Sequence, residues 1–413
     1  MSARRVSLVV LLVAGGAFAV LAAVLVPWSP VPGGTPSPVP VEDVFTATEV
    51  ARAEDFTGTL RTWSALSMLL NLAVLAVLAA SARVRAAVSR LPGPWWAQAL
   101  LAVLVVEVVS RLATLTFSVL QRRHVLDAGL SDQSWAGFAR DAAVSEAVDV
   151  AVTGLLVVVL VGVARRWRTA WPAVVGVTVA VLVALGSFAY PVVVEPLFNR
   201  FTPLPDGELR SGVLALAEAE GVPVDEVLVS DASRRTTTLN AYVSGFGGTR
   251  RVVLYDNLVE DVPTREALTV VAHELAHARN DDVLLGTALG ALGAATAVGL
   301  LGVALGRLRL GDPRVVPVLL ALLAVGTLVT SPVQSGISRR IELRADVDAL
   351  RYTADPDAFV ALQRRLALRS LSDPTPPALW HWAFGTHPTV LVRVALARSL
   401  TDGRGPVVRT SQP

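Results

Sequence analysis

The sequence predicts an all-α membrane protein with about seven transmembrane helices and one small α/β module, and three observations support this fold class. Hydrophobic residues make up 53% of the 413 residues and the mean hydropathy is +0.57, which is too apolar for a soluble protein of this length. Apolar runs of membrane length recur along the chain. One long polar segment, 195–282, interrupts them and contains the motif H-E-x-x-H.

Composition also restricts the possible partners and cofactors. All 36 basic residues are arginines and the formal net charge is +2, yet no basic cluster alternates with aromatic residues, so the sequence predicts no nucleic-acid partner. Cysteine is absent, which excludes disulfides and thiolate metal sites. Any metal must therefore be held by His, Asp or Glu.

The first predicted span is the apolar run Val6 to Val26, which follows Arg4 and Arg5. Its length matches the roughly 20 residues that cross the hydrocarbon core. A secretory signal peptide is the alternative, but the apolar region of such a peptide is usually about 7–15 residues long. We therefore expect a retained first span.

Six further spans are expected, and they divide the chain into membrane and polar parts. The predicted spans cover 63–82, 91–120, 144–164, 170–194, 283–305 and 315–330. The corresponding parts are a first span (1–26), a Pro-rich linker and acidic segment (27–62), spans two to five (63–194), a soluble insertion (195–282), spans six and seven (283–331) and a C-terminal segment (332–413). This organisation predicts a multi-pass protein of the cell membrane, embedded in the lipid bilayer, and it leaves the oligomeric state open.

Four ionisable residues lie inside the predicted spans. Glu107 and Arg111 are four residues apart and share a helix face, and the fourth span carries Glu146 and Asp149. Charges at membrane depth are costly and usually face a bundle interior or a watery cavity, so these residues indicate a polar lumen. The alternative is that a long helix places the Glu107 and Arg111 pair at the interface.

The soluble insertion is predicted to form a small α/β unit. The periodic stretch Glu208 to Glu220 predicts a helix, and 226–229 and 251–256 predict short strands. The glycine-rich stretch 245–248 predicts a hairpin turn. The helix that carries H-E-x-x-H is expected to have Thr264 as its N-cap.

The motif His273-Glu274-x-x-His277 is the strongest chemical signal in the chain. Two residues four apart on an α-helix differ by about 40° in rotation and one turn of rise, so both imidazoles can bind one ion. An imidazole pair without a thiol suits catalytic Zn²⁺, one ion per chain, with Glu274 as the general base. The alternative is an amphipathic helix with two incidental histidines, a rare coincidence when the chain has only 5.

A catalytic zinc site needs a third protein ligand, and the stretch Ser338 to Asp346 offers the best candidates. It continues the helix of the last span, and Glu342 and Asp346 lie four apart on one face. One carboxylate can bind the metal while the other accepts a hydrogen bond from a ligand histidine. The spacing does not show which of the two carboxylates would bind the metal. An ordinary pair of surface charges would have the same spacing.

Two other histidines are not expected to bind metal. His124, in the loop before the fourth span, is expected to be solvated. His381 lies between Trp380 and Trp382 and is expected to be exposed or interfacial.

Taken together, these motifs resemble the integral-membrane CAAX prenyl protease 1 family, which consists of zinc metallopeptidases of the gluzincin type. The resemblance covers nearly the whole chain, and five further segments look like family segments in the family's order. They are Phe138-x-Arg140-Asp141, Pro196 to Leu204, Asn240-Ala241-Tyr242, Val253 to Asp256 and Thr386-His387-Pro388.

The resemblance implies roles for the residues of the zinc motifs. His273, His277 and Glu342 resemble the zinc ligands, and Glu274 resembles the catalytic base. Asp346 resembles the carboxylate that supports a ligand histidine. The resemblance also implies that the helices form a barrel around a water-filled chamber.

Three more residues receive roles from the resemblance. Asn240 is implied to bind the substrate backbone, His387 to steady the oxyanion, and Arg393 to contact substrate as the arginine that follows the His-Pro motif. The chain departs from the family pattern where Thr389 replaces a second proline and Val392 replaces a glutamate. These departures weaken any inference about how the C-terminal segment selects substrate.

The resemblance implies a membrane-embedded endopeptidase that uses metal-activated water and forms no covalent intermediate. Its substrates would be membrane-associated or prenylated-type proteins. The arginine-only composition suggests a bacterial origin, where few proteins are prenylated, so the broader class is favoured.

Two alternatives stay open. One is a non-catalytic zinc- or peptide-binding receptor, scaffold or transporter, against which the intact Glu274 argues. The other is a membrane quality-control peptidase with fewer spans, against which the span count argues.

Orientation in the membrane stays open because two arguments disagree. The N-terminus and the short turns 83–90, 165–168 and 307–314 share one side and are rich in arginine, and the positive-inside rule makes that side cytoplasmic. The resemblance instead implies a zinc module on the cytosolic face. Long loops obey the charge rule poorly, which favours the family arrangement weakly.

Overall fold

A computed structural model describes residues 2–245, 250–305 and 310–401. The described part is mostly helical, with one small sheet. Its helices and strands are α1 (Ala3–Leu25), α2 (Ala47–Ala80), α3 (Ala82–Val88), α4 (Trp95–Asp127), α5 (Trp135–Arg166), α6 (Trp171–Ala189), α7 (Glu195–Phe198), β1 (Phe201–Pro203), α8 (Glu208–Glu220), β2 (Glu226–Ser230), β3 (Ala241–Ser244), β4 (Arg251–Tyr255), α9 (Asp256–Asp261), α10 (Thr264–Arg279), α11 (Asp282–Ala304), α12 (Val316–Thr353), α13 (Pro356–Ser370), α14 (Ala378–Phe384) and α15 (Val390–Thr401).

Seven helical segments of the described chain are long and apolar enough to cross a membrane, and they contain α1, α2, α4, α5, α6, α11 and α12. Large apolar side chains such as Leu12, Val24 and Val329 stay about two-thirds exposed on them. Exposed leucines and valines on helices of this length are suited to contact with acyl chains, where only helices and closed barrels satisfy their backbone groups internally. The predicted fold class is confirmed.

The membrane helices pack in a continuous series. Helix α1 contacts α11, α11 contacts α6, and α6, α5, α4, α2 and α12 then follow one another as neighbours. The approach of α1 to α11 depends on small residues, because a Cβ at Gly299 would lie 2.6 Å from the backbone nitrogen of Leu11. Helices α2, α4 and α5 of this series border a polar cavity described below.

Two helices extend well beyond the predicted spans. Helix α2 begins at Ala47, and its first turn is closed by a capping box in which the Thr46 N–H donates to Glu49 Oε2 at 2.8 Å. The acidic segment is therefore a helical extension of the second span. Helix α12 runs without interruption from the last span to Thr353, as predicted for the stretch that carries Glu342 and Asp346.

The soluble insertion contains a four-stranded sheet of order β1-β2-β4-β3, in which β2 and β4 are parallel and the other pairs antiparallel. Val252 and Leu254 of β4 are fully buried and pack with Leu275 of α10 in one hydrophobic core. Strand β3 is an edge strand beside α10 within the described residues. The predicted hairpin turn at 245–248 lies almost entirely outside the described residues.

Helix α10 lies between the sheet, α8, α12 and α13. Most of its 16 residues are buried, so packing fixes its position. The prediction of Thr264 as N-cap is wrong, because Thr264 already occupies the first helical position and Pro263 is the cap. A proline offers no side-chain oxygen, and the start of this helix is set by tertiary packing.

One prediction about a side chain is corrected by packing. His124 stacks on Phe56 with ring centroids 4.8 Å apart, and its Nε2 lies 3.2 Å from the Phe56 carbonyl oxygen, so it is packed and not solvated. Arg111 forms no ion pair with Glu107 in the described structure. Its Nε donates to Glu146 Oε2 of the neighbouring helix α5 at 2.8 Å. His381, which was expected to be exposed or interfacial, is half-buried.

Candidate metal centre

Three side chains from two packed helices converge on one point, which we call the metal centre. His273 and His277 come from one face of α10, and Glu342 comes from α12. The Nε2 atoms of the histidines lie 3.2 Å apart. Glu342 Oε2 lies 3.2 Å from the His273 Nε2, and Oε1 lies 3.7 Å from the His277 Nε2. These residues form the one group within the described residues that offers at least three converging His or carboxylate ligand atoms.

The distances between the donor atoms are close to those around a tetrahedral metal ion. Two N or O donors that each lie about 2.0–2.2 Å from one ion at the tetrahedral angle are separated by about 3.3–3.6 Å. Two imidazole nitrogens that face each other at 3.2 Å without an ion would repel through their lone pairs unless one carried a proton. A nitrogen and carboxylate donor set that leaves further positions open is typical of catalytic zinc.

Asp346 supports the first imidazole from behind. It is fully buried, and its Oδ1 lies 3.0 Å from Nδ1 of His273, the ring nitrogen that faces away from the metal centre. Arg393 of α15 donates to the same carboxylate from both Nε, at 2.8 Å to Oδ2, and Nη2. This buried Arg–Asp–His line fixes the ring orientation and compensates the charge of Asp346.

Asp282 supports the second imidazole in the same way, and the sequence analysis missed it. Its Oδ2 lies 2.9 Å from Nδ1 of His277, and its other oxygen pairs with Arg344. Asp281 adopts a left-handed conformation with φ of 52° and makes the sharp turn from α10 into α11 that brings Asp282 back to the motif helix. An acidic residue at the start of a membrane span, five positions after a motif histidine, was the available signal.

Glu274 and His387 are placed on the open side of the metal centre. Burial raises the pKa of the Glu274 carboxyl above its usual range, although the two motif histidines oppose that shift. Nε2 of His387 lies 3.4 Å from Glu342 Oε2, and the Thr386 hydroxyl lies 2.9 Å from its Nδ1. The loop before α15 therefore brings a further imidazole next to Glu342, one of the three residues of the metal centre.

A cavity of about 350 Å³ opens over the centre and is bordered by His273, Glu274, Asn240, His387 and Arg393. The Asn240 side-chain oxygen accepts a hydrogen bond from the Ala241 N–H at 3.0 Å, while its amide nitrogen has no partner within the described residues. The structure thus brings together all the site residues that the sequence nominates.

Fold and site together define a class of protein: a multi-span membrane protein with the metal centre of a metal-dependent hydrolase. Comparison with known proteins then identifies its family. A model of peptidase family M48 matches residues 203–401, and a model described as the CAAX prenyl protease N-terminal region, five membrane helices, matches 34–200.

The uncharacterized metalloprotease YhfN of Bacillus subtilis (strain 168) is 30% identical over 308 residues, which are 71% of each chain. The human CAAX prenyl protease 1 homolog is 25% identical over 364 residues, which are 73% of this chain and 74% of the human one. The crystal structure of S. mikatae Ste24p has the same fold, with a TM-score of 0.78, 22% identity and coverage of 95% of this chain and 99% of that chain. The chain belongs to peptidase family M48 and is a multi-pass membrane metalloprotease.

Proposed function

We propose that this metalloprotease is a zinc-dependent endopeptidase that hydrolyses peptide bonds of membrane-associated proteins. In this proposal His273, His277 and Glu342 bind one zinc ion and Glu274 is the general base. The observation that carries it is the tetrahedral spacing of the three donors beside a carboxylate whose pKa is raised by burial. A zinc site that served binding alone would not need that carboxylate.

The chain's own residues move the protons of the reaction. Zinc, when bound, polarises the scissile carbonyl and lowers the pKa of the attacking water. Glu274 accepts the proton of that water and delivers it to the leaving amine, and a raised pKa suits both steps because the group must take up and release a proton near neutral pH. His387 donates from Nε2 to the developing oxyanion, and the Thr386 hydroxyl, by donating to Nδ1, keeps the proton on Nε2.

Asp346 and Asp282 hold the two ligand imidazoles in one orientation and one tautomer. Each carboxylate faces an Nδ1, so each ring presents its Nε2 lone pair to the metal. Arg393 neutralises Asp346 and also borders the cavity, so a direct contact with substrate remains part of the proposal.

The substrate is proposed to bind as an extended strand. Strand β3 pairs with β4 and has no second neighbour among the described strands, so its outer backbone groups are available to a peptide. Asn240 immediately precedes this strand at the rim of the cavity. Its free amide group would donate to a substrate carbonyl, which agrees with the role that the family resemblance implies.

The substrate class is proposed from the relatives and the membrane location. The human relative is named a CAAX prenyl protease 1 homolog, which makes prenylated C-terminal peptides one candidate substrate. The broader candidate is any unstructured segment of a protein in or near the cell membrane, where we propose that this multi-pass chain resides.

Cleavage of an unstructured peptide by the purified protein in detergent tests this function. We expect cleavage that a chelator abolishes and added zinc restores, with the products mapped by mass spectrometry. Prenylated and plain versions of one peptide distinguish the two substrate classes. Failure to cut either peptide with one zinc bound per chain would contradict the proposal.

A further inference from the structure

The membrane part contains a group of charges that the hydrolytic mechanism does not use. Glu107 of α4 and Glu146 and Asp149 of α5 border one cavity of about 510 Å³, together with Arg111. We call these four residues the chamber cluster. Arg111 is paired with Glu146, and no second cationic side chain borders this cavity within the described residues. Three carboxylates therefore share one guanidinium.

Residues with buried, unpartnered acceptor atoms line the same cavity. Ser110 is only 8% exposed, and its hydroxyl has no hydrogen-bond partner in the described structure. The same is true of Oδ1 of Asn71 and of the second carboxylate oxygen of Glu146, and all three residues border the cavity. Buried acceptors without donors, and charges at membrane depth without counter-charges, are both unfavourable. A cation with several N–H donors would donate hydrogen bonds to these acceptors and would also compensate the charge of the carboxylates.

The cavity adjoins a second one, of about 310 Å³, because Ser64 borders both. The second cavity is also bordered by Gly385, which lies two residues before His387 in the chain. The Gln121 amide donates to Ser64 Oγ at 3.0 Å and marks the near end of the polar wall. At 1.5 Å rise per residue, Glu107 lies about 21 Å further along α4 than Gln121. An extended peptide covers that distance with about six residues.

We propose that the chamber cluster is a subsite for a cationic side chain of the polypeptide substrate, an arginine or lysine at least about six residues from the scissile bond. The proposal rests on the proposed peptidase function, since it names a feature of the substrate. Arginine fits the site best because its guanidinium offers five donors to carboxylate, hydroxyl and carboxamide acceptors.

Peptide binding tests the subsite without relying on cleavage. A Glu274→Gln protein is titrated with fluorescent, otherwise neutral peptides that carry one arginine either two or eight residues from the bond that the parent enzyme cuts. We expect the distant arginine to tighten the Kd about tenfold and the near one to leave it unchanged. Adding Glu107→Gln and Asp149→Asn should abolish this gain, whereas the uncharged control Ser67→Ala, on the same cavity wall, should keep it.

Three results would overturn the subsite. They are a gain that does not depend on the position of the arginine, a gain that survives in the doubly substituted protein, and a gain that Na⁺ or Mg²⁺ abolishes when choline chloride at equal ionic strength does not. The last result would mean that the cluster holds an inorganic cation. Melting temperatures check that every variant is folded. An arginine gain in a protein that cuts no peptide would contradict the peptidase function and leave the subsite intact.

Discussion

The metal centre and the chamber cluster use the same residue types in opposite ways. In the metal centre the carboxylates have partners within the chain: Asp346 lies between Arg393 and His273, and Asp282 contacts His277 and pairs with Arg344. In the chamber cluster three carboxylates share one arginine. Carboxylates that are paired within the chain hold the metal centre in one geometry, whereas carboxylates without a counter-charge are available to bind a cationic ligand.

The difference has an energetic consequence for substitutions. Removing one member of a buried, matched pair leaves the other charge uncompensated, which typically costs about 3–5 kcal/mol of stability. Removing a carboxylate from an unmatched group relieves repulsion. The two regions should therefore respond to mutation with opposite effects on stability, and the following predictions test the matched region.

The largest effect is expected for Glu342→Ala. It removes the third donor of the metal centre, so zinc content, measured by mass spectrometry of the metal, should fall to background and peptidase activity with it. The control is Glu266→Ala, since Glu266 is equally buried and paired with Arg365 but offers no atom to the metal centre. A Glu342→Ala protein that retains one zinc per chain would show that the third ligand is another residue.

A smaller effect is expected for Asp346→Asn. The amide oxygen can still accept from His273, but the amide carries no charge to neutralise Arg393 or to strengthen that hydrogen bond, so zinc should bind about 10- to 100-fold more weakly, as measured by competition with a chelator. Asp282→Asn should weaken zinc binding comparably through His277. Unchanged affinity in both proteins would mean that the ligand imidazoles are held by packing alone.

The pH dependence of kcat/KM should report Glu274. Only the carboxylate form accepts a proton from water, so activity should be lost as the pH falls through the pKa of Glu274, which burial raises and the charge of bound zinc lowers. The measurement is a pH–rate profile on zinc-saturated enzyme. A profile without an acid limb would contradict the role assigned to Glu274.

The smallest effect concerns Glu220, an exception to the matched charges of the soluble module. It is 5% exposed, neither of its carboxylate oxygens has a hydrogen-bond partner in the described structure, and burial together with nearby Asp348 raises its pKa to about 8. The folded protein therefore binds a proton that the unfolded chain releases above about 4.5, so stability should decrease as the pH rises from about 5 through 8.

Glu220→Gln should remove this part of the pH dependence and stabilise the protein at alkaline pH. Melting temperatures of the parent and the variant between pH 5 and 9 check the expectation. Parallel curves would show that Glu220 keeps an ordinary pKa. Glu218→Gln, two positions earlier on the same helix, is the matched control and should change neither the melting temperature nor its slope.

Much of this fold could be predicted from sequence, because a bilayer imposes a length and an apolar composition on each span. The seven spans follow from that constraint. The ends of the helices do not follow from it, because helices such as α2 and α12 extend beyond the bilayer. Capping and packing determine where those helices begin and end. Thr46 and Glu49 form a capping box that was visible in the sequence and would have located the start of α2.

The metal centre was predictable where its residues sit at fixed spacing on one helix, as His273 and His277 do. Contacts between elements were not predictable in this way. Asp282 reaches His277 because of the turn at Asp281. Arg111 pairs with Glu146 on the neighbouring helix and not with Glu107 on its own helix. Both contacts depend on how elements pack, which local spacing does not encode.

The most direct test of the central claim compares the parent enzyme with its Glu274→Gln variant, both loaded with zinc, on one unstructured peptide. Because the amide keeps the shape of the side chain but cannot take up a proton, we expect the variant to hold one zinc per chain while kcat falls about 10²- to 10⁴-fold. Retention of parental activity by a zinc-loaded Glu274→Gln protein would contradict the account.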